Sequence, residues 1–334
     1  MIRKAIVFVG MFVATVGLYA QIDGHIDEMY INARGSFNVQ HAENTDKGFE
    51  GENLNFVIAG KISDNLSYRI RQRFNKAISA SNPFNATDFL YLDWKANDHW
   101  TFSFGKQEIY IGGFEYDYAP IDVYFWSECW GELPSSYSFA ASAAYNFTDK
   151  QKIIFQLSNS PFYNGSTNNL SYNLVWFGEI FPFWKTIWSV NESEYSKGNF
   201  QNIISLGNRF EFSSFYWELD FVNRAISEDN GTEKDDFFLS HWGVVTKLNY
   251  RCDKWNLFCK FSYDKDNNFY LDRYIKWSDH NYTTVGVGAE FFPLNDDRLR
   301  LHAVYYANNI DQVGNTETRH NVLFGATWKI NLKK

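Results

Sequence analysis

From about residue 28 onward the chain is built of runs of roughly 10 to 14 residues in which apolar and polar positions alternate, and turn formers separate the runs. The last run shows the pattern well. Val322, Phe324, Ala326, Trp328, Ile330 and Leu332 share one parity, while Asn321, Gly325, Thr327, Lys329 and Asn331 share the other. Alternate side chains of a strand point to opposite faces, so this spacing predicts a strand with one apolar and one polar face. The same reading places strands near 28–41, 49–62, 66–76, 86–96, 99–109, 136–147, 151–160, 169–180, 184–194, 199–212, 215–226, 239–251, 254–263, 280–292, 297–308 and 319–332, about 16 in all.

The connections alternate in length. After each even-numbered strand comes a tight turn, such as Ser63-Asp64-Asn65, Asn97-Asp98, Ser213-Ser214 or Cys252-Asp253. The other connections are longer as a rule. Short turns at one end and long loops at the other are the grammar of an all-β, transmembrane antiparallel barrel. An even strand count lets such a sheet close without a free edge, which a membrane requires because it offers backbone groups no hydrogen bonds. Both termini then fall on the periplasmic side. At about 16 strands the interior is too wide for side chains to fill, and an aqueous channel is expected.

Composition changes the picture in two ways. Aromatics make up 19% of the 334 residues, yet mean hydropathy is only −0.39. Rings on the apolar face, among them Trp94, Trp100, Phe102, Phe104, Trp217, Trp242, Trp255 and Trp328, suit the lipid–water boundary better than the core of a soluble sandwich. The one continuous apolar stretch, Ala5 to Ala20, follows Arg3 and Lys4 and ends on a small residue. Residues 1–20 are therefore expected to be a signal peptide and 21–334 an outer-membrane barrel. Removing residues 1–20 takes away Arg3 and Lys4 and no acid, which leaves 29 basic against 39 acidic residues, a formal charge of −10. That balance argues against nucleic acid as a partner. Cys129, Cys252 and Cys259 are too few and too scattered for a disulfide framework or a zinc site.

The third strand carries the densest candidate chemistry. Leu66, Tyr68, Ile70 and Phe74 share its apolar face, so Arg69, Arg71 and Arg73 fall on the lumenal one. Arg34 and Lys61 from the first two strands add to a basic stripe, which could also be a structural ion-pair network with carboxylates such as Asp93. The longest connection, 110–135, contains Glu115, Asp117, Asp122, Glu128 and Glu132, many rings, and no Lys or Arg. Rings in a loop imply packing, so loop 3 is expected to fold into the lumen as a constriction whose acids face the arginine stripe. A cap on neighbouring loops or on another subunit is the alternative.

Gly60-Lys61-Ile62-Ser63-Asp64-Asn65-Leu66-Ser67-Tyr68-Arg69, Asp88-Phe89-Leu90-Tyr91-Leu92-Asp93-Trp94 and Phe104-Gly105-Lys106-Gln107 resemble the phosphate-selective porin O and P family. The resemblance implies a 16-stranded diffusion channel of the bacterial outer membrane, often a homotrimer, in which lumenal arginine and lysine favour anions such as phosphate. The acidic loop 3 departs from that pattern, since an anion about 4 Å from a carboxylate meets a repulsion of about 4 kcal/mol at intermediate dielectric. A general porin for small polar solutes and inorganic ions is the reading that follows. An outer-membrane receptor or adhesin would use loop 7 (264–279), where Phe269, Tyr270, Tyr274 and Trp277 could equally meet lipid, lipopolysaccharide or a neighbouring subunit. Enzyme activity is not expected, because none of the seven histidines sits near a G-x-S-x-G elbow or in an H-E-x-x-H pair. Neither a cofactor nor a metal is implied.

Overall fold

The computed structural model describes residues 24–42, 44–78, 83–131, 136–162, 169–226, 241–266, 280–294, 296–312 and 315–333. The proposed signal segment, Glu132 and the loop 7 rings Phe269, Tyr270, Tyr274 and Trp277 lie outside the described residues.

Sixteen strands form one closed barrel: β1 (His25–His41), β2 (Thr45–Ser63), β3 (Leu66–Arg73), β4 (Thr87–Lys95), β5 (Trp100–Glu108), β6 (Tyr137–Thr148), β7 (Gln151–Asn159) and β8 (Leu170–Phe181), then β9 (Trp184–Ser196), β10 (Asn199–Phe212), β11 (Phe215–Ile226), β12 (His241–Cys252), β13 (Trp255–Asp266), β14 (His280–Phe291), β15 (Leu299–Gln312) and β16 (Asn315–Asn331). Each strand pairs antiparallel with its sequence neighbours, and β1 closes on β16 with Arg34 opposite Thr327. Pairing fixes the faces, because residues opposite one another in an antiparallel pair point the same way. Phe104, Phe155, Leu174, Val190, Val285, Val287, Phe324 and Trp328 all point outward and are exposed. The polar parity points in.

Two of the tight turns show why turn formers stand there. Ser213 and Asp253 take left-handed backbone conformations, with φ of 53° and 48°, in two-residue hairpins.

The alternation of turn and loop is less regular than the spacing predicts. Three connections at the loop end are as short as the turns at the other: 42–44, 197–198 and 313–314. The first two strands and the last two run on as paired ribbons, with His41 opposite Thr45 and Gln312 opposite Asn315. In the first ribbon Phe37 and Phe49 meet edge to face at 5.0 Å, and Asn38 donates to Glu50 at 2.9 Å. At 197–198 the turn is made by Gly198, with φ of 80°.

The inner wall is not uniformly polar. Ile154, Val175, Ile187, Ile203, Val222, Val245, Phe258, Val304 and Leu323 point inward from strands between β7 and β16, and all are buried. They form the floor on which loop 3 lies. Cys129, Cys252 and Cys259 are free thiols.

Candidate pore constriction

Residues 109–131 leave the end of β5 and pack against the inward face of the wall from β7 round to β1. Two short helices, α1 (Phe114–Asp117) and α2 (Glu128–Gly131), flank a 3-10 turn at Pro120–Asp122. Ile109, Ile111, Tyr116, Cys129 and Trp130 pack with Ile203, Val222 and Val245. Phe114 packs with Ile154, Val175 and Ile187, and Phe125 with Phe258, Val304 and Leu323. Each fully buried ring or aliphatic side chain contributes roughly 1.5–3 kcal/mol, so these three clusters outweigh any single polar contact in holding the loop.

Close approach to the wall depends on glycine on both sides. Gly112 and Gly113 have φ of 84° and 92°, and a Cβ on Gly112 would stand 2.7 Å from the Ser189 hydroxyl. On the wall, a Cβ on Gly207 would stand 2.8 Å from the Gly113 Cα. Side chains on Gly243 and Gly286 would meet Cys129 and Phe125.

Buried backbone groups of the loop must find partners, and the inner wall supplies them. Gln156 accepts from the Tyr110 N–H at 3.0 Å, and Asn191 donates to the Tyr110 carbonyl at 2.6 Å. These two amides belong to a ladder in which Asn191 donates to Asn173 at 2.9 Å and Asn173 donates to Gln156 at 3.0 Å. Asp220 of β11 accepts from the N–H groups of Phe114 and Glu115, at 2.9 and 2.8 Å. Asp264 of β13 accepts from the Cys129 N–H at 3.2 Å. Burial pushes the Cys129 thiol well above its ordinary value, which makes it an unreactive packing residue.

The charges of the loop are met by cations on distant strands. Glu115 is ion-paired with Lys260 of β13 and accepts from Ser127 Oγ at 2.7 Å. Asp122 pairs with Arg300 of β15 at 3.0 Å. Arg34 of β1 is paired with Glu52 and donates to the Ile121 carbonyl at 2.8 Å. Rings are engaged in the same way. Tyr124 donates to Glu290 at 2.7 Å and has the Arg34 guanidinium 5.0 Å from its ring centre. Tyr118 donates to Glu218 at 2.6 Å, receives a hydrogen bond from Arg209 at 3.0 Å, and has the Lys247 ammonium 4.7 Å from its ring. Between these rings and β11–β13 remains a cavity of about 30 Å³, room for about two waters.

This arrangement corrects the expected opposition of acidic loop and arginine stripe. Arg69, Arg71 and Arg73 share the inward face of β3, but the partners of Glu115 and Asp122 are on β13 and β15, and β13 lies six strands from β3 around the barrel. Arg71 and Arg73 both donate to Asp88, at 2.9 and 2.7 Å, rather than to Asp93. Asp88 reaches them because a bulge opposite Arg71–Gln72 inserts it into β4. Arg71 is buried, 4.1 Å from the Phe89 ring centre. Lys61 is exposed on the same inner face. Glu128 opens α2 and is half-buried.

Among the described loop acids Asp117 differs from Glu115, Asp122 and Glu128, because it is exposed to the lumen. Enclosure by protein pushes its carboxyl above the usual aspartate value, against the pull of Arg209 and Lys152. Sequence reasoning missed the cations that hold the loop, Arg209, Lys247, Lys260 and Arg300. Each stands on the inward parity of its strand, as Lys260 does between Cys259 and Phe261, and that signal was open to the same alternation test.

The sequence profile of the phosphate-selective porin O and P family matches residues 28–200, just over half of the chain. No curated relative matches. Among solved structures the chain is similar to the anion-selective porin from Comamonas acidovorans, with 8% identity, 92% of this chain and 100% of that one covered, and a TM-score of 0.64. It is also similar to the outer membrane channel DcaP of Acinetobacter baumannii (10% identity, 93% and 99% covered, TM-score 0.63). A third is in-vitro folded OmpT, an outer membrane protein of Vibrio cholerae, in its trimer form (13% identity, 92% and 99% covered, TM-score 0.62).

Proposed function

The chain belongs to the phosphate-selective porin O and P family, and we propose that it is a passive diffusion channel for small hydrophilic solutes and ions, with a lean toward anions such as phosphate. One observation carries the anion lean: the loop acids Glu115 and Asp122 are already neutralised by Lys260 and Arg300. The uncovered wall from β2 to β4 then presents Lys61, Arg69, Arg71 and Arg73 to the lumen, with Asp88 the partner of the last two. Charges lining a narrow aqueous gap are how channels discriminate between ions.

Loop 3 acts in this reading as the constriction, crossing from Asp117 beside Arg209 to Ile121 beside Arg34. Asp117, an exposed acid among the described residues of the loop, keeps the preference weak. The turn end of the barrel faces the periplasm, with both termini there, residues 1–20 serve as the signal peptide, and outward aromatics meet outer-membrane lipid and lipopolysaccharide. Three copies assemble as in the trimer-form neighbour.

The test is single-channel recording of refolded protein in a planar bilayer under a salt gradient, repeated with phosphate in the bath. Steady conductance with a modest anion-selective reversal potential is expected. Cation selectivity would overturn the charge assignment, and a barrel that does not conduct would favour a plugged receptor.

A further inference from the structure

The uncovered part of the inner wall pairs cations with aromatic rings. Phe89 and Tyr91 of β4 point inward, half-buried, and meet edge to face at 5.7 Å. The guanidinium of Arg69 stands 5.7 Å from the Phe89 ring centre. Lys152 of β7 stands 4.6 Å from Phe177 of β8, which meets Tyr110 edge to face at 6.3 Å. We propose that this channel favours small organic anions with a flat unsaturated face, aromatic carboxylates above all, over anions of the same charge and size that lack one. The inference rests on the channel reading and names its solute class.

The charge balance selects the sign of the solute. Among the described residues Lys61, Arg69 and Lys152 make no ion pair. The neighbouring acids are Asp88, shared by Arg71 and Arg73, Asp93, which accepts from the Ser103 hydroxyl, Glu108 beside Arg71, and Asp117. On this wall five cations, Lys61, Arg69, Arg71, Arg73 and Lys152, stand against four acids, Asp88, Asp93, Glu108 and Asp117, and the cationic excess favours a carboxylate over a neutral sugar, whose hydroxyls need acceptors as much as donors. The rings decide the rest. Inorganic phosphate gains nothing from a half-buried phenyl group, because it must keep its polar partners on every side. An aromatic carboxylate satisfies a guanidinium with one end and offers its π-face or edge to Phe89, Tyr91 or Phe177 with the other.

Benzoate and cyclohexanecarboxylate separate flatness from charge and size. With the sodium salt of one on each side of a bilayer holding the refolded full chain, the bi-ionic reversal potential gives their permeability ratio. A ratio of roughly two- to tenfold in favour of benzoate is expected, the weight of one ring contact. Tyr91→Leu and Phe89→Leu should each bring it toward one, and Tyr91→Leu leaves the Arg71–Asp88 contact in place if the Phe89 variant fails to fold. A ratio of one in the unaltered protein, or an undiminished ratio in both variants, would overturn the inference while conductance itself leaves the channel reading standing. Block by a neutral disaccharide in preference to benzoate would give the rings to sugars and overturn it as well. No conductance at all would instead sink the channel reading.

Discussion

Lys260 of β13 and Glu115 of loop 3 form an ion pair between two buried side chains 145 residues apart in the chain. Lys260 also donates to the Phe125 carbonyl at 2.7 Å, so one ammonium ties both limbs of the loop to the wall. Removing one member of a buried pair leaves the other charge unmatched at a cost of about 3–5 kcal/mol. Lys260→Met is therefore expected to lower stability by that amount and to raise open-channel noise as the loop loosens. Glu115→Gln, which keeps hydrogen bonding to Ser127, should cost less. A urea midpoint for Lys260→Met unchanged from that of the unaltered protein would show that the pair does not hold the loop.

Arg69 and Arg71 stand two residues apart on one face and should behave differently on substitution. Arg71 is buried, bonded to Asp88 and packed on Phe89 and Tyr137. Arg71→Ala should cost about 1–3 kcal/mol, because hydrogen bonds to a charged group and a cation–π contact are lost together. Arg69 makes no ion pair among the described residues, so Arg69→Gln should leave unfolding midpoints nearly unchanged and move the reversal potential toward cations. Reversal potentials that respond to Arg71→Ala but not to Arg69→Gln would invert these roles.

The contrast between those arginines marks where sequence stops being informative. Strands were legible because lipid outside and water inside impose a strict period of two. Gly48-Phe49-Glu50-Gly51 blurs that period because the β1–β2 ribbon there is wet on both faces, with Phe49 exposed. Partner choice was illegible for another reason. Whether Glu115 meets Lys260 or a β3 arginine depends on the path of the loop across the lumen, which links positions far apart in sequence. The inward apolar residues Ile154, Val175, Ile187, Ile203 and Val222 were the overlooked cue, since an aqueous lumen has no use for them unless something packs there.

Asn208 on the outward face of β10 accepts the indole N–H groups of Trp184 at 3.0 Å and Trp188 at 3.3 Å. Asn208→Ala strands both donors on the apolar surface. A loss of about 1–2 kcal/mol is expected, given roughly 0.6 kcal/mol for a typical polar contact in a membrane and up to 1.7 for a strong one. Tryptophan emission should shift with it, and an unchanged spectrum would mean that water or headgroups already serve these indoles.

Leu219 pairs with Thr246 and Asn208 on the outward face of β11, between Trp217 and Phe221. Arginine there would face the hydrocarbon, and Leu219→Arg should destabilise the barrel by about 2–4 kcal/mol if the site lies near the bilayer midplane. Equilibrium unfolding from lipid bilayers measures this directly. No loss would contradict the outward assignment of the strand.

Acidification tests Asp117, the one exposed acid among the described residues of loop 3. Enclosure raises the Asp117 carboxyl above the ordinary aspartate value, so on lowering pH it gains its proton, and loses its negative charge, earlier than a free aspartate would. Arg209 and Lys152 beside it stay charged throughout that range. The local balance therefore becomes more positive as pH falls, and anion selectivity should increase through the mildly acidic range before exposed carboxylates titrate. Asp117→Asn should show the high anion preference at neutral pH and a flatter pH dependence. Reversal potentials of both proteins across a pH series decide the matter, and parallel curves for the two would place the responsible titration elsewhere in the lumen.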